Sequence, residues 1–171
     1  EALLWKTQSL CKTLMDGFLR ECGDLIDMVK IGDDLGSQVG LLMSPAMYRR
    51  ILKPIHADYI AFIRERTDAK VVFHTDGDVY DLLDDFVEIG VDVLNPVQAS
   101  AGGMSDFPGL KRRFGDNLVF CGGMDTHHVL PRGTVDEVRA EVKRVIEALG
   151  LGGGYMLGAV HTVMGDVPPE N

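Results

Sequence analysis

Polar side chains follow each strand that the sequence predicts, at the point where the strand ends. Carboxylates, imidazoles, amides and a thiol recur at these points, and the carboxyl ends of parallel strands lie at one rim of an α/β fold. We therefore expect the following residues to surround one mouth, although they are far apart in the chain: Asp33, Asp34, His74, Asp76, Asp78, Asn95, Gln98, Cys121, Asp125, His127, His128 and His161.

Four of these residues could form a metal site. His74 and Asp76 are two positions apart just beyond a strand, so a turn could point both side chains inward. With Cys121 and His161 they supply nitrogen, oxygen and sulfur ligands, which Zn²⁺ accepts in a tetrahedral arrangement. Two alternatives stay open, because spacing alone does not fix the ligands. His74 and Asp76 could instead hydrogen-bond the loop backbone, and Cys121 could be a small buried apolar residue.

The adjacent carboxylates and the last histidine allow two interpretations each. Asp33 and Asp34 could position a cationic group or act as acid and base if their pKa values separate. Alternatively, one of them accepts backbone N–H bonds in a turn. His161 lies in an apolar run, where a histidine is either structural or catalytic, and it shares the rim with the other candidates.

Strands alternate with amphipathic helices along the chain. Thr134 and Glu137 form a capping box, and Pro54 is expected to kink the second helix. Strands are predicted at 25–31, 71–73, 91–94, 118–121 and 155–157, and helices at 3–22, 44–62, 79–87, 105–114 and 134–149. This order predicts an α/β fold with a parallel sheet and right-handed crossovers.

Two closures of this sheet are compatible with the pattern, an open doubly wound sheet and a (β/α)8 barrel. The densest glycines, at 150–154, follow a helix and precede a strand, which is the wrong order for a nucleotide-binding loop. A full TIM barrel needs about 250 residues, and 171 residues supply about five βα units. The chain begins inside a helical pattern and ends at Pro168-Pro169-Glu170-Asn171, so we expect a piece of a longer barrel.

Composition excludes several classes of function. The formal net charge is −9 without any basic stripe, which excludes phosphate-driven nucleic-acid binding. No apolar stretch approaches the roughly 20 residues that span a bilayer, and no leader opens the chain. The three cysteines, Cys11, Cys22 and Cys121, are not spaced for pairing, which is typical of the reducing cytoplasm. We expect a cytoplasmic protein with residues 1–171 in a single domain.

An ordered set of motifs resembles the uroporphyrinogen decarboxylase superfamily over nearly the whole chain. The matching segments are Gly32-Asp33-Asp34-Leu35-Gly36, Ser44-Pro45 with Tyr48 and Pro54, Phe73-His74-Thr75-Asp76-Gly77, Gly90-Val91-Asp92-Val93-Leu94-Asn95-Pro96, Gly122-Gly123-Met124-Asp125, and His161 with Pro168-Pro169-Glu170-Asn171. Members of this superfamily are TIM barrels. The resemblance therefore implies the C-terminal portion of a barrel, without the strands that carry the arginines and the aspartate that grip tetrapyrrole carboxylates.

The resemblance implies two alternative chemistries for a small-molecule substrate. One branch decarboxylates uroporphyrinogen in tetrapyrrole biosynthesis without a cofactor, and it would place Asp33, Tyr48 and His161 in the pocket. The other branch transfers methyl groups between methylated compounds and a corrinoid or a thiol, with zinc held by a His-x-Cys pair and a later cysteine. This sequence is a hybrid, because Asp76 and His161 stand where those cysteines would be, and Asp34 replaces the serine of the decarboxylases.

Three hypotheses follow from these observations. The first is methyl transfer, with His74, Asp76 and His161 near a metal and Asp33 or Asp34 orienting the substrate. The second is decarboxylation of uroporphyrinogen. The third is an inactive truncated barrel, whose open strand edges would pair in a homodimer or be covered by the first helix.

Overall fold

The computed structural model describes residues 1–171 as strands and helices in alternation, as the sequence predicts. Five parallel strands form one sheet in the order β1-β4-β5-β6-β7, and a short antiparallel hairpin consists of β2 and β3. The strands are β1 Met28–Gly32, β2 Gly36–Ser37, β3 Gly40–Leu41, β4 Lys70–His74, β5 Val93–Val97, β6 Val119–Met124 and β7 Tyr155–Ala159. The α-helices are α1 Ala2–Cys22, α2 Pro45–Ile51, α3 Lys53–Arg64, α4 Leu83–Ile89, α5 Phe107–Phe114, α6 Val129–Arg132 and α7 Val135–Leu149. This arrangement agrees with a partial TIM barrel.

Two local features differ from the sequence-based expectations, and two others agree with them. Residues Gly23–Leu25 form a 3₁₀ turn, so the first strand begins later than predicted. The kink expected from Pro54 is confirmed, since the helix after Ser44 is interrupted at Leu52 and Pro54, which lacks an N–H, lies in the first turn of the next helix. The β2–β3 hairpin was not predicted, since two-residue strands are too short to show an alternating pattern. The capping box of Thr134 and Glu137 is confirmed at the start of α7.

The two faces of the sheet differ in character. Phe73, Leu94 and Phe120 are fully buried among the helices and belong to one cluster of 27 buried apolar residues. Successive side chains of a strand point to opposite faces, so the next residues along these three strands lie on the other face. Those residues are His74, Asn95 and Cys121, and the sheet therefore presents polar groups away from its helices.

A buried carboxylate connects α2, α3 and α4. Asp85 is 3% exposed, and both its oxygens lie 3.0 Å from Arg49 Nε, with Lys53 Nζ 2.8 Å away. Burial alone would raise the pKa of Asp85, but hydrogen bonds from Arg49 and Lys53 outweigh it and hold that pKa below its usual value. This cluster fixes α2, which carries Tyr48.

Apolar surface is exposed next to one edge of the sheet. Strand β1 is an edge strand, and so is β7 at the other end. Helix α1 precedes β1 and carries large apolar side chains that are about half or more exposed: Leu3, Leu10, Leu14 and Phe18. No helix combines the length and the apolar character needed to cross a bilayer.

We expect the chain to self-associate through these features. Hydrogen bonding between open strand edges and burial of the exposed leucines both favour association. Light scattering at micromolar concentration should give a dimer. The double substitution Leu10→Glu and Leu14→Glu should yield monomers, because it places charge on the apolar face of α1. Thr13→Glu on the same helix is the matched control and should leave the dimer intact. A monomeric parent chain would contradict the prediction.

We expect Asp85→Asn to lower the free energy of unfolding by about 2 kcal/mol at pH 7, because it leaves Arg49 without its ion pair and Lys53 with only the exposed Glu88. The pKa of Asp85 is lowered by folding, so its contribution is complete above the unfolded pKa of about 4 and is lost as pH falls through the folded value. Urea denaturation at pH 7 and pH 3 should show the difference from the parent chain shrinking at pH 3. Asp81→Asn, at an exposed residue without an ion pair, should have little effect at either pH.

Candidate functional site

The carboxyl ends of β1 and β4 approach each other unusually closely. Gly32 is paired with His74, and a Cβ at position 32 would lie 2.2 Å from the carbonyl oxygen of His74. The next amide, Asp33 N, donates to that same oxygen at 3.1 Å. Only glycine fits at position 32, and the contact holds the segment after β1 beside the segment after β4.

Asp34, His74 and Asp76 converge at this junction. Each offers a ligand atom within 4.8 Å of those of the other two. Asp34 Oδ1 accepts a hydrogen bond from the backbone N–H of Asp76 at 3.1 Å, and His74 Nε2 lies 3.9 Å from Asp76 Oδ2. The other carboxylate oxygen of Asp76, Oδ1, is buried without a hydrogen-bond partner. A buried acceptor without a donor is costly unless a cation or a proton donor reaches it.

A row of side chains across the sheet orients His74. Its Nδ1 lies 2.8 Å from Asn95 Oδ1, and Asn95 Nδ2 donates to Cys121 Sγ at 3.2 Å. Because the amide oxygen of Asn95 can only accept, His74 Nδ1 carries the proton. The lone pair of a neutral His74 is then on Nε2, the nitrogen that faces Asp76. Metal-binding histidines are typically held in this way by an outer partner.

The structure distributes the four sequence-predicted metal ligands differently from the expectation. It brings His74 and Asp76 together, but with Asp34 rather than with Cys121 and His161. Cys121 is one strand beyond Asn95 and contacts His74 only through that amide. His161 is exposed and lines a cavity of about 280 Å³ with Asp76 and His127. Sequence spacing could not separate the ligands because it does not give the distance across intervening strands.

Asp33 belongs to a different group, which includes a histidine that the sequence interpretation missed. His56 on α3 is 6% exposed, and its Nε2 lies 3.0 Å from Asp33 Oδ2. The hydroxyl of the fully buried Tyr48 lies 3.3 Å from His56 Nδ1. The only sequence signal for the contact between Tyr48 and His56 is their separation of eight residues on a largely helical segment. The helix interruption at Leu52 obscures this periodicity.

Donor and acceptor roles within this group follow from the environment of Tyr48. Burial, with a further contribution from the nearby carboxylates Asp85 and Asp33, raises the pKa of Tyr48. Its hydroxyl therefore stays protonated and donates to His56 Nδ1, and His56 Nε2–H donates to Asp33. The three residues form one connected path from the interior of α2 to the mouth of the sheet.

Buried polar side chains also fix the loops around the mouth. Thr75 Oγ1 accepts from the backbone N–H of Leu35 at 3.0 Å, and Gln98 Oε1 accepts from that of Gly77 at 2.7 Å. Asp125 Oδ1 accepts from the backbone N–H groups of His127 and His128. Asp125 is thus occupied in shaping its loop.

The remaining strand-end residues have separate positions. Both histidines of the Asp125 loop are exposed, and His128 precedes α6. Asp78 accepts hydrogen bonds from the backbone N–H groups of Tyr80 and Gly103. These residues shape the rim of the mouth and do not join the Asp34–His74–Asp76 group.

The mouth is acidic. Two adjoining cavities open there, and the carboxylates that line them outnumber the cations, since Lys30 is their only lysine or arginine. The lining carboxylates are Asp33, Asp34, Asp76 and Asp166. Amide and hydroxyl groups of Gln38, Gln98, Thr126 and Thr162 complete the polar lining of the second cavity. Such a surface attracts cationic molecules, tolerates neutral ones and repels polyanions.

Comparison with known proteins gives a consistent family. The family model described as "Uroporphyrinogen decarboxylase (URO-D)" matches residues 2–171. The uroporphyrinogen decarboxylase of Pseudoalteromonas translucida is 38% identical over 61 residues, which make up 36% of this chain and 17% of that protein. A solved methyltransferase from Methanosarcina mazei is 25% identical with a TM-score of 0.63, covering 84% of this chain and 39% of that one. The chain thus matches less than half the length of either relative.

We expect Tyr48→Phe to reduce the free energy of unfolding by about 1–2 kcal/mol, because it leaves His56 Nδ1 buried without a donor. Urea denaturation at pH 7 measures the change. Tyr59→Phe is the matched control, since the Tyr59 hydroxyl makes only a long hydrogen bond of 3.5 Å to the backbone of Cys11. Equal losses of unfolding free energy for the two variants would show that the Tyr48–His56 hydrogen bond does not stabilise the fold more than the hydroxyl of Tyr59 does.

Proposed function

Because the chain belongs to the uroporphyrinogen decarboxylase family, we propose that it carries the metal-binding half of a methyltransferase site. The observation that carries the proposal is the convergence of Asp34, His74 and Asp76 at the ends of β1 and β4. The methyltransferase from Methanosarcina mazei, which has the same fold, supports this branch over cofactor-free decarboxylation. The proposal concerns a part of a longer catalytic barrel, since the chain covers 39% of that relative.

The residues present fit a divalent metal. One imidazole and two carboxylates suit Zn²⁺, which in catalytic sites has three protein ligands and an open fourth position. Asp76 Oδ1 is buried and has no hydrogen-bond partner within the protein, which indicates that a cation or a donor from outside the chain reaches it. Asp34, His74 and Asp76 would therefore hold the ion. When bound, the metal would lower the pKa of a substrate thiol and so favour the thiolate, which accepts methyl groups, at neutral pH.

The neighbours of these ligands prepare them for that role. Asn95 Oδ1 accepts a hydrogen bond from His74 Nδ1–H, which leaves the Nε2 lone pair directed toward Asp76. Asp34 is held by the backbone N–H of Asp76, so the two carboxylates move together. Cys121 supports Asp34, His74 and Asp76 only indirectly, through Asn95. Cys121 and His161, expected as ligands from spacing, are not needed for a three-ligand site.

The charge of the mouth favours a class of substrate. Four carboxylates and one lysine line the two cavities, which suits a neutral or cationic methylated compound such as a methylated amine. Asp33 is mostly exposed there and is anchored from behind by His56, so it would orient a positively charged group. The family resemblance implies that a corrinoid, instead of a thiol, could be the partner that donates or accepts the methyl group.

Decarboxylation of uroporphyrinogen is the second candidate. It is favoured by the curated decarboxylase of Pseudoalteromonas translucida and by the position of His161 on the cavity wall at the mouth. His161 would then polarise the substrate from one cavity of the mouth, and Asp33 would contact it from the other. Tyr48 is fully buried and would act only through His56 and Asp33. The part of the mouth that this chain supplies is acidic and does not attract a carboxylate-rich substrate. Such a substrate would have to be held by the arginines that the resemblance assigns to the rest of the barrel.

We expect the metal-free chain to bind one Zn²⁺ in isothermal titration calorimetry at pH 7. His74→Ala and Asp76→Asn should each weaken binding more than tenfold, because each removes a ligand or a ligand charge. Asn95→Leu should weaken binding by about 10–100-fold while the stoichiometry stays at one, as expected for loss of an outer partner.

Two variants serve as controls for this titration. His127→Ala removes an exposed imidazole outside the Asp34–His74–Asp76 group and should not change the affinity. Cys121→Ser tests the ligand set that spacing favoured, and it should have a smaller effect than His74→Ala. Saturable binding of uroporphyrin by a chain that binds no zinc would favour decarboxylation instead.

A further inference from the structure

A third cavity lies on the helix side of the sheet, behind the Asp33 end of the acidic mouth. Its volume is about 210 Å³, and it is bounded by α1, α3 and the end of β1. Most of its lining is apolar and comes from Leu4, Cys11, Ile31, Leu52, Ile55, Tyr59 and Phe73. Apart from Asp33 and His56, no residue that has a role in the proposed methyl transfer lines this space.

Gln8 on α1 lines this cavity and carries an unsatisfied acceptor. The residue is 5% exposed and lines the cavity, and its Nε2 donates to Ile55 O at 2.6 Å and to Asp58 Oδ2 at 2.8 Å. Two acceptors around Nε2 fix the orientation of the amide, because turning it over would place its oxygen against both of them. Gln8 Oε1 is then a buried acceptor without a donor in the protein.

Such an atom points to a missing hydrogen-bond donor. Buried polar atoms in folded proteins are nearly always paired, and an unpaired one beside a cavity is paired when a suitable molecule enters. Two of the other polar side chains of the lining, His56 and Thr7, already have hydrogen-bond partners. His56 is bonded to Tyr48 and Asp33, and the Thr7 hydroxyl donates to the backbone of its own helix.

We propose that this cavity binds a compact and mostly apolar small molecule that donates one hydrogen bond to Gln8 Oε1. The apolar lining excludes highly charged ligands, and the volume limits the occupant to about the size of a bicyclic ring. Since Ile31, Gly32 and Asp33 border both this cavity and the mouth, the occupant lies directly behind the Asp33 end of the mouth. The inference stands independently of the proposed metal site.

Indole and benzothiophene are suitable probes, because they have nearly the same shape and only indole has an N–H donor. Titration of the ¹⁵N-labelled chain with indole should produce saturable shifts in amide signals of α1, α3 and β1. Benzothiophene should bind about tenfold more weakly, because it leaves Gln8 Oε1 without a hydrogen-bond donor. Equal affinities for the two probes, or no saturation at millimolar indole, would overturn the proposal.

Substitutions locate the site on the same chain. Leu4→Trp should fill the cavity from its rim and abolish indole binding, whereas Leu3→Trp is the matched control, since Leu3 is 76% exposed and outside the lining. Gln8→Met keeps the length of the side chain and should remove the preference for indole over benzothiophene. If Gln8→Met fails to fold, the relative affinities of indole and benzothiophene for the parent chain still test whether Gln8 Oε1 accepts a hydrogen bond. Unchanged indole binding by Leu4→Trp would refute the location.

Discussion

The ends of β1 and β4 are held against each other because residue 32 has no side chain. Any Cβ at that position would collide with the carbonyl of His74, and the amide of Asp33 donates to the same oxygen. This contact brings the carboxylates after β1 next to the imidazole at the end of β4. The proposed metal site, the acidic mouth and the link from Asp33 to His56 all depend on it.

Around this contact, polar side chains are organised in two separate paths. One path runs across the open face of the sheet from Cys121 through Asn95 to His74. The other runs through the helix layer from Tyr48 through His56 to Asp33. Each path ends on one side of the Gly32 junction, so neighbouring residues in the sequence, Asp33 and Asp34, serve different environments.

Two buried side-chain nitrogen or oxygen atoms in this chain have no hydrogen-bond partner, and both belong to residues that line a cavity or form the proposed metal-ligand cluster. Asp76 Oδ1 lies in the cluster with Asp34 and His74, and Gln8 Oε1 belongs to a residue that lines the apolar cavity. Thr75, Gln98 and Asp125, by contrast, hold loop backbones and have their partners within the protein. Unsatisfied atoms therefore distinguish the positions that we propose to bind ligands from those that only shape the rim.

The sequence by itself determined the α/β class, the alternation of five strands with helices, and the rim on which polar residues collect, because these follow from local periodicity, caps and strand direction. It also identified His74, Asp76, Asp33 and Asp34 as candidates. Only the tertiary structure decided that Asp34 joins His74 and Asp76, that Cys121 stands behind Asn95, and that His56 supports Asp33. These relations depend on strand register and on distances across the sheet and between α3 and β1, and residue spacing along the chain contains neither.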